Sequence, residues 1–148
     1  MKLIEFKCQD HRFGLPIACV RRALLSAQPT VLPGAPEVVL GVLNIGSEVI
    51  TIIDFRRRIG LPGGAIDTSQ RLIIVELANC SVGFLVDDVL GITDRDVCGL
   101  ADVPQQLAGA DFVKAIIRLD DGLCIILDPE RFLFEDEIAL LRNALGAA

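Results

Sequence analysis

Residues 41–59 read GVLNIGSEVITIIDFRRRI and residues 115–133 read AIIRLDDGLCIILDPERFL, and a shift of 74 positions lays one on the other without a gap. Asp54 falls on Asp128, Arg57 on Arg131, and nearly every apolar residue on another apolar residue. A second pair matches at a shift of 69: residues 2–20, KLIEFKCQDHRFGLPIACV, over residues 71–89, RLIIVELANCSVGFLVDDV. Leu3 then meets Leu72, Ile4 meets Ile73, Phe6 meets Val75, Gly14 meets Gly83 and Val20 meets Val89. A repeated unit of roughly 65 residues predicts two similar lobes related by a pseudo-twofold axis, with a groove between them.

Each block reads as a hairpin. Residues 3–8 and 13–17 flank the polar turn Gln9-Asp10-His11-Arg12, and their copies flank Ala78-Asn79-Cys80-Ser81. Residues 41–45 and 49–53 flank Gly46-Ser47-Glu48, and residues 115–119 and 123–127 flank Asp120-Asp121-Gly122. Residues 18–24 and 87–92 read as short segments that turn the chain towards the next strand. Residues 32–36 are a breaker cluster, resembled by residues 107–111. Asp54 and Asp128 each precede a short helical pattern, and Pro129 directly after Asp128 suits an N-cap followed by the first helical position. Both aspartates are therefore expected to be structural caps worth about 1 kcal/mol each.

Residues 135–146 form the expected C-terminal helix, with Glu135, Asp136 and Glu137 at its positive end and Ile138, Leu141 and Leu145 on one apolar face. The fold class expected is all-β with short helices: two small β-barrels from an internal duplication, plus this helix. The chain, 1–148, is expected to be a single domain, because each half is near the size limit for burying a core alone. The lobes are expected at approximately 15–66 and 67–134 with the N-terminal strand.

Composition excludes several function classes. Hydrophobic residues make up 52 % of the chain, yet Glu5, Lys7, Glu48, Arg71, Glu76 and Asp87 interrupt every stretch long enough to span a bilayer, so no membrane insertion is expected. The apolar run Leu3-Ile4 is too short for a secretory signal, which makes the cytoplasm the expected compartment. Five cysteines, Cys8, Cys19, Cys80, Cys98 and Cys124, lie far apart with no CxxC pair, as reduced and buried thiols would. His11 is the only histidine and is expected to be exposed in a loop, so neither a metal site nor a Ser-His-Asp or Cys-His arrangement is expected. Gly63-Gly64 suits a linker, and no phosphate-binding loop or cofactor motif occurs.

Net charge is −6, which disfavours nucleic acid. Residues 1–66 carry eight Lys+Arg against five Asp+Glu, and the remainder six against fifteen. That polarity predicts weak head-to-tail self-association. The run Arg56-Arg57-Arg58 reads most simply as a solvated helix face.

At residues 41–56, GVLNIGSEVITIIDFR, the sequence resembles the signature of the CheW family of bacterial chemotaxis adaptors, roughly G-[VI]-x-N-x-R-G-x-x-x-P-[VI]-[VI]-D-L-R. The resemblance continues through residues 13–17 with Val20, Leu32-Pro33, Ala35-Pro36, residues 82–89 and residues 126–128. It implies two SH3-like five-stranded barrels, no enzymatic activity and no cofactor. It also implies two partners, the regulatory domain of a CheA-type histidine kinase and the cytoplasmic tip of a methyl-accepting chemoreceptor, with peripheral placement at receptor arrays. The interlobe region would take the receptor's helical hairpin. The partner-binding positions implied here are Val20, Arg21, Gly41, Leu43, Asn44, Ile45, Gly46, Ser47 and Arg56.

The chain departs from that pattern where Arg-Gly is replaced by Gly46-Ser47 and proline by Thr51. A guanidinium at a hairpin tip bonds a partner in several directions, and loss of such a hot spot costs on the order of 2 kcal/mol. Three accounts are open: Arg56, Arg57 or Arg58 supplies the charge, the partners are a divergent set, or only one partner is bound. Two rival functions also stand: a module of another chemosensory pathway such as type IV pilus motility, and a small-ligand sensor in which Asp87, Asp88 and Asp94 gather in the interlobe groove.

Overall fold

A computed structural model describes residues 1–62, 66–78, 80–96, 100–101 and 112–147. In chain order the elements are β1 (Lys2–Cys8), β2 (His11–Pro16), β3 (Val20–Leu25), β4 (Val39–Ile45), β5 (Glu48–Ile53) and helix α1 (Phe55–Ile59). Then come β6 (Arg71–Glu76), β7 (Ser81–Val86), β8 (Asp88–Asp94), the two-residue β9 (Leu100–Ala101), β10 (Val113–Leu119), β11 (Gly122–Leu127) and helix α2 (Glu135–Ala147). The protein is mostly β with short helices. Residues 18–24 and 87–92, expected as turning segments, are largely strands themselves, β3 and β8. Residues 107–111 lie outside the described residues.

The strands form two sheets, in the orders β3-β6-β7-β5-β4 and β8-β1-β2-β11-β10-β9. Shifts of 69 and 74 carry β1 and β2 onto β6 and β7, and β4 and β5 onto β10 and β11, so the two orders are the same apart from β9. The register repeats as well. In the parallel pair of one sheet Ile52 faces Gly83, and in the other Ile126 faces Gly14. The irregularity after Val20, where Arg22 pairs with Ile74, recurs where Gly91 pairs with Glu5 after Val89. The one between Val39 and Gly41 recurs between Val113 and Ala115. Bulges at matching places argue for duplication more strongly than apolar pattern alone, because an extra residue must be accommodated at each.

The strands do not divide as contiguous stretches 15–66 and 67–134. Each sheet takes one hairpin from each copy: β6 and β7 join the first sheet, and β1 and β2 join the second. The exchange is seen in the parallel pairs, β5 with β7 and β11 with β2, each of which joins a strand of one copy to a strand of the other. It also changes the charge balance expected of the lobes. The first lobe, residues 20–86, holds six Lys+Arg and five Asp+Glu, and the rest of the chain eight and fifteen. One lobe is close to neutral and the other carries nearly all the negative charge.

Three cores follow from this arrangement. The first sheet encloses Ile50, Ile52, Leu72, Ile74 and Leu85. The second encloses Leu3, Ile117, Cys124 and Ile126. Between the lobes lies the largest core, into which Phe6, Phe13, Phe55, Phe84, Phe112 and Phe132 pack with neighbouring ring centroids 4.6 to 5.9 Å apart. Central strands are thus covered on both faces, which is why residues 72–75 and 82–86 are continuous apolar or glycine runs without alternation. The edge strand β8 alternates instead.

Gly14 and Gly83 are the points of closest approach. A Cβ at Gly83 would lie 2.7 Å from Ile52 Cδ1 and 3.1 Å from Leu72 Cδ1, and one at Gly14 would lie 3.0 Å from Ile126 Cδ1 and 3.3 Å from Leu3 Cδ1. These are the same neighbours in both copies. At the far edge of the first sheet, Thr30 and Val42 exchange backbone hydrogen bonds of 2.9 and 2.8 Å, bringing the chain after β3 against β4.

The copies differ inside. Glu5 occupies the place of Ile74, Thr93 that of Leu24 and Arg95 that of Ser26. Glu5, only 2 % exposed, accepts bonds from Arg95 Nε at 2.8 Å, Arg95 Nη2 at 3.0 Å and Thr93 Oγ1 at 2.7 Å. The Arg95 guanidinium lowers the Glu5 carboxyl, outweighing burial, which acts to raise it.

Candidate functional site

The residues expected to meet partners fall into two places. At the tip joining β4 to β5, Gly46 adopts φ +63° and Ser47 is exposed. Asn44 is exposed and, with its amide turned to suit its neighbours, donates to the carbonyls of Gly46 and Glu48 at 3.2 and 3.1 Å, so it braces the turn. Arg21 is the extra residue of the β3 bulge, and its Nη1 donates to Glu48 Oε2 at 2.7 Å and Ser81 Oγ at 3.1 Å. The structure therefore brings Arg21 to the tip. Leu43 and Ile45 pack towards the core of the first lobe, and Val20, paired with Val75, packs against the shared core. Gly41 is buried with φ +152°, and a Cβ there would stand 2.2 Å from the Thr30 carbonyl oxygen, so its part is to permit the Thr30–Val42 closure.

Arg56 is elsewhere. It follows β5, six residues and about 20 Å of strand away from the tip. Its Nη2 donates to Asp87 Oδ1 at 3.1 Å. Asp87 also accepts from the Gln70 side chain at 3.3 Å and the Gln9 amide at 2.5 Å, so it ties the first lobe to the β1–β2 turn of the second. Partial burial acts to raise the Asp87 carboxyl, and these donors outweigh it and hold the group below the usual range.

The arginine run is not a solvated face. Only Arg57 is exposed, reaching Glu37 at 3.0 Å. The Arg58 side chain is 7 % exposed, pairs with Glu137 of α2 and lies 4.2 Å over the Phe134 ring. None of the three supplies the tip, because α1 starts from the opposite end of β5. Arg21 does so instead, from a position 25 residues before Gly46 in the chain.

Asp54 Oδ1 accepts from the Arg57 amide at 3.3 Å and Asp128 Oδ1 from the Glu130 amide at 3.1 Å. Their own amides donate to Val38 and Phe112 at 2.7 and 2.8 Å, again one residue pair shifted by 74. Asp87, Asp88 and Asp94 do not gather. Asp88 and Asp94 end opposite ends of β8, and Asp94 meets the N-terminal amine at 3.2 Å. No group of three or more metal-ligating side chains occurs among the described residues.

His11, exposed, is the first residue of β2, and its ring is 6.3 Å from that of Phe13. Together with Ile59, Leu61, Phe112 and Leu127 these two line an apolar interlobe recess of about 130 Å³. Cys8 and Cys124 are buried, which pushes their thiols up to about 11 and about 12. Cys80 is exposed, against expectation, because it sits in the turn before β7, and Cys19 is half-buried. Cys98 lies outside the described residues.

Sequence reading missed Glu48 and Ser81 as holders of Arg21, since they lie 27 and 60 residues from it. No local pattern marks a contact of that kind.

The chain is similar to the chemotaxis protein CheW of Rhizobium meliloti (strain 1021), with 28 % identity over 86 % of this chain and 83 % of that one. It is similar to the chemotaxis protein CheW of Bacillus subtilis (strain 168), with 25 % identity over 89 % and 86 %. The crystal structure of scaffolding protein TtCheW from Thermoanaerobacter tengcongensis superposes with a TM-score of 0.82 at 26 % identity, covering 92 % of this chain and 94 % of that one. The CheW-like domain profile matches residues 2–137, and the chain belongs to the CheW-like domain family.

Proposed function

We infer that this chain is a non-catalytic cytoplasmic adaptor of bacterial chemosensory signalling. It couples the regulatory domain of a CheA-type histidine kinase to the cytoplasmic tip of a methyl-accepting chemoreceptor by protein–protein contacts. The reading rests on its similarity to chemotaxis and scaffolding proteins and on the tip of the first lobe. No helix among the described residues is long and apolar enough to cross a membrane.

One observation carries the reading: a guanidinium stands at the β4–β5 tip although the turn itself has none. Arg21 is held there by an exposed carboxylate and a hydroxyl, and exposed pairs of this kind are easily exchanged. A partner carboxylate or carbonyl can take the place of Glu48 while the bulge keeps the arginine positioned. The apolar interlobe recess offers a second contact, suited to the apolar face of a helical hairpin.

The test is binding of Arg21→Ala to receptor-bearing membranes and to the isolated kinase regulatory domain. Affinity for at least one is expected to fall by about tenfold or more. Arg57→Ala, exposed but on α1, is expected to bind as the parent does. Parental affinity of Arg21→Ala for both partners would refute the role given to the tip.

A further inference from the structure

The pseudo-twofold relation gives the β4–β5 tip a counterpart on the second lobe. The shift of 74 carries Asn44 onto Arg118, Ile45 onto Leu119, and Gly46 and Ser47 onto Asp120 and Asp121. The shift of 69 carries Ser81 onto Arg12. Where the first tip places Asn44 and Ser81 the second places Arg118 and Arg12, and where the first has Arg21 and Glu48 the second has Leu90 and Gly122. Arg12, Arg95 and Arg118, with Leu119, Asp120 and Asp121, line an open recess of about 470 Å³ beside the β10–β11 turn.

These guanidiniums are unequally occupied. Arg95 is committed to the buried Glu5. Arg12 stands 3.6 Å from exposed Asp121, beyond ordinary hydrogen-bond length. Arg118 is exposed and has no ion-pair partner among the described residues. The recess runs into a neighbouring groove of about 290 Å³ that shares Arg12, Leu119 and Asp121 and adds Lys7, Asp10, His11, Gly122 and the leucines Leu90 and Leu123, which are 45 % and 48 % exposed. Charged and apolar groups thus stand side by side on a lobe that is otherwise strongly acidic.

We propose that this arginine recess with its leucine groove is a second docking site, taking a glutamate or aspartate side chain flanked by an aliphatic one on a partner polypeptide. A guanidinium presents paired donors that match a carboxylate. Asp120 and Asp121, which line the recess with the arginines, and the acidic lobe around them oppose a dianion, so a single carboxylate fits better than a phosphate. Leu90 and Leu123 supply the apolar contact that fixes which acidic residue is accepted. The site lies on the other sheet from Arg21 and does not depend on the role given to the first tip.

The experiment is a titration of the full chain, isotope-labelled, followed by NMR with the capped dipeptide acetyl-Leu-Glu-amide as probe. Saturable shifts are expected at Arg12, Arg118 and Leu123, with acetyl-Leu-Gln-amide binding about fivefold or more weakly. Arg118→Glu, a surface change, is expected to abolish the shifts, and Arg21→Ala to leave them intact. Absence of saturable shifts, equal binding of the two dipeptides, or retention of binding in Arg118→Glu would overturn the proposal. Inorganic phosphate displacing the dipeptide at lower concentration would overturn the assignment to a carboxylate.

Discussion

Replacing Arg95 with alanine leaves Glu5, only 2 % exposed, with the Thr93 hydroxyl and the Cys124 thiol as its remaining side-chain partners among the described residues. Removing one partner of a buried ion pair costs about 3–5 kcal/mol. Arg95 is itself 30 % exposed, so water can reach the vacated space, and the lower end, about 3 kcal/mol, is expected. The first lobe contains the apolar alternative at the same three positions, Leu24, Ile74 and Ser26. Transplanting it as Glu5→Ile, Thr93→Leu and Arg95→Ser removes the charge together with Thr93 and Arg95 and fills the space with hydrocarbon. Such replacements are neutral or stabilising by about 1–4 kcal/mol. The triple variant is therefore expected to unfold in urea at or above the parental midpoint, while Arg95→Ala unfolds well below it. The acid limb adds a second readout. Because folding lowers the Glu5 carboxyl below its ordinary value of 4.5, its stabilisation is present above that value and lost as pH falls through the folded one. The triple variant lacks this loss and should show a shallower fall in stability below about pH 4.5. If Arg95→Ala cost under about 0.5 kcal/mol, or the triple variant fell as far as Arg95→Ala, the account of this buried pair would be wrong.

Gly83→Ala is expected to cost about 1 kcal/mol more than Gly14→Ala, because its Cβ meets Ile52 Cδ1 at 2.7 Å where the other meets Ile126 Cδ1 at 3.0 Å. Ile52→Val, which removes that methyl, should recover much of the loss in the double variant, and additivity in urea unfolding would contradict the register. Arg58→Ala is expected to cost about 3 kcal/mol through the stranded Glu137 and to speed hydrogen exchange in α2, and parental exchange there would show that the pair does not hold the helix. Sedimentation velocity at low and high salt should show little charge-driven self-association, since the hairpin exchange leaves one lobe nearly neutral, and a monomer fraction rising steeply with salt would contradict this.

The duplication was legible because it is a property of order and spacing, and Gly14, Gly83, Asp54 and Asp128 showed where two backbones repeat the same step. Which copy each hairpin joins was not legible, since a parallel pair such as Ile52 opposite Gly83 carries no local mark. The hairpin turn at Gly46-Ser47-Glu48 is legible from its residues, and its place at a partner-binding tip only through the family resemblance at residues 41–56. The helix that follows lends the tip no arginine, because Arg56 and Arg58 are bound to Asp87 and Glu137. Arg21 reached the tip through a bulge, and a bulge is set by cross-strand pairing that only the folded sheet reveals. Asp87 joins the lobes and belongs to no acidic cluster with Asp88 and Asp94, and the sequence hides this for the same reason: its donors lie 78, 31 and 17 residues away.

The adaptor reading is tested most directly by sedimenting receptor-bearing membranes with a CheA-type kinase, with and without this protein. Kinase should enter the pellet in proportion to the protein added and reach a plateau when receptor sites are filled. Kinase left in the supernatant at saturating protein, or pelleting equally without it, would contradict the claim that this chain bridges the two.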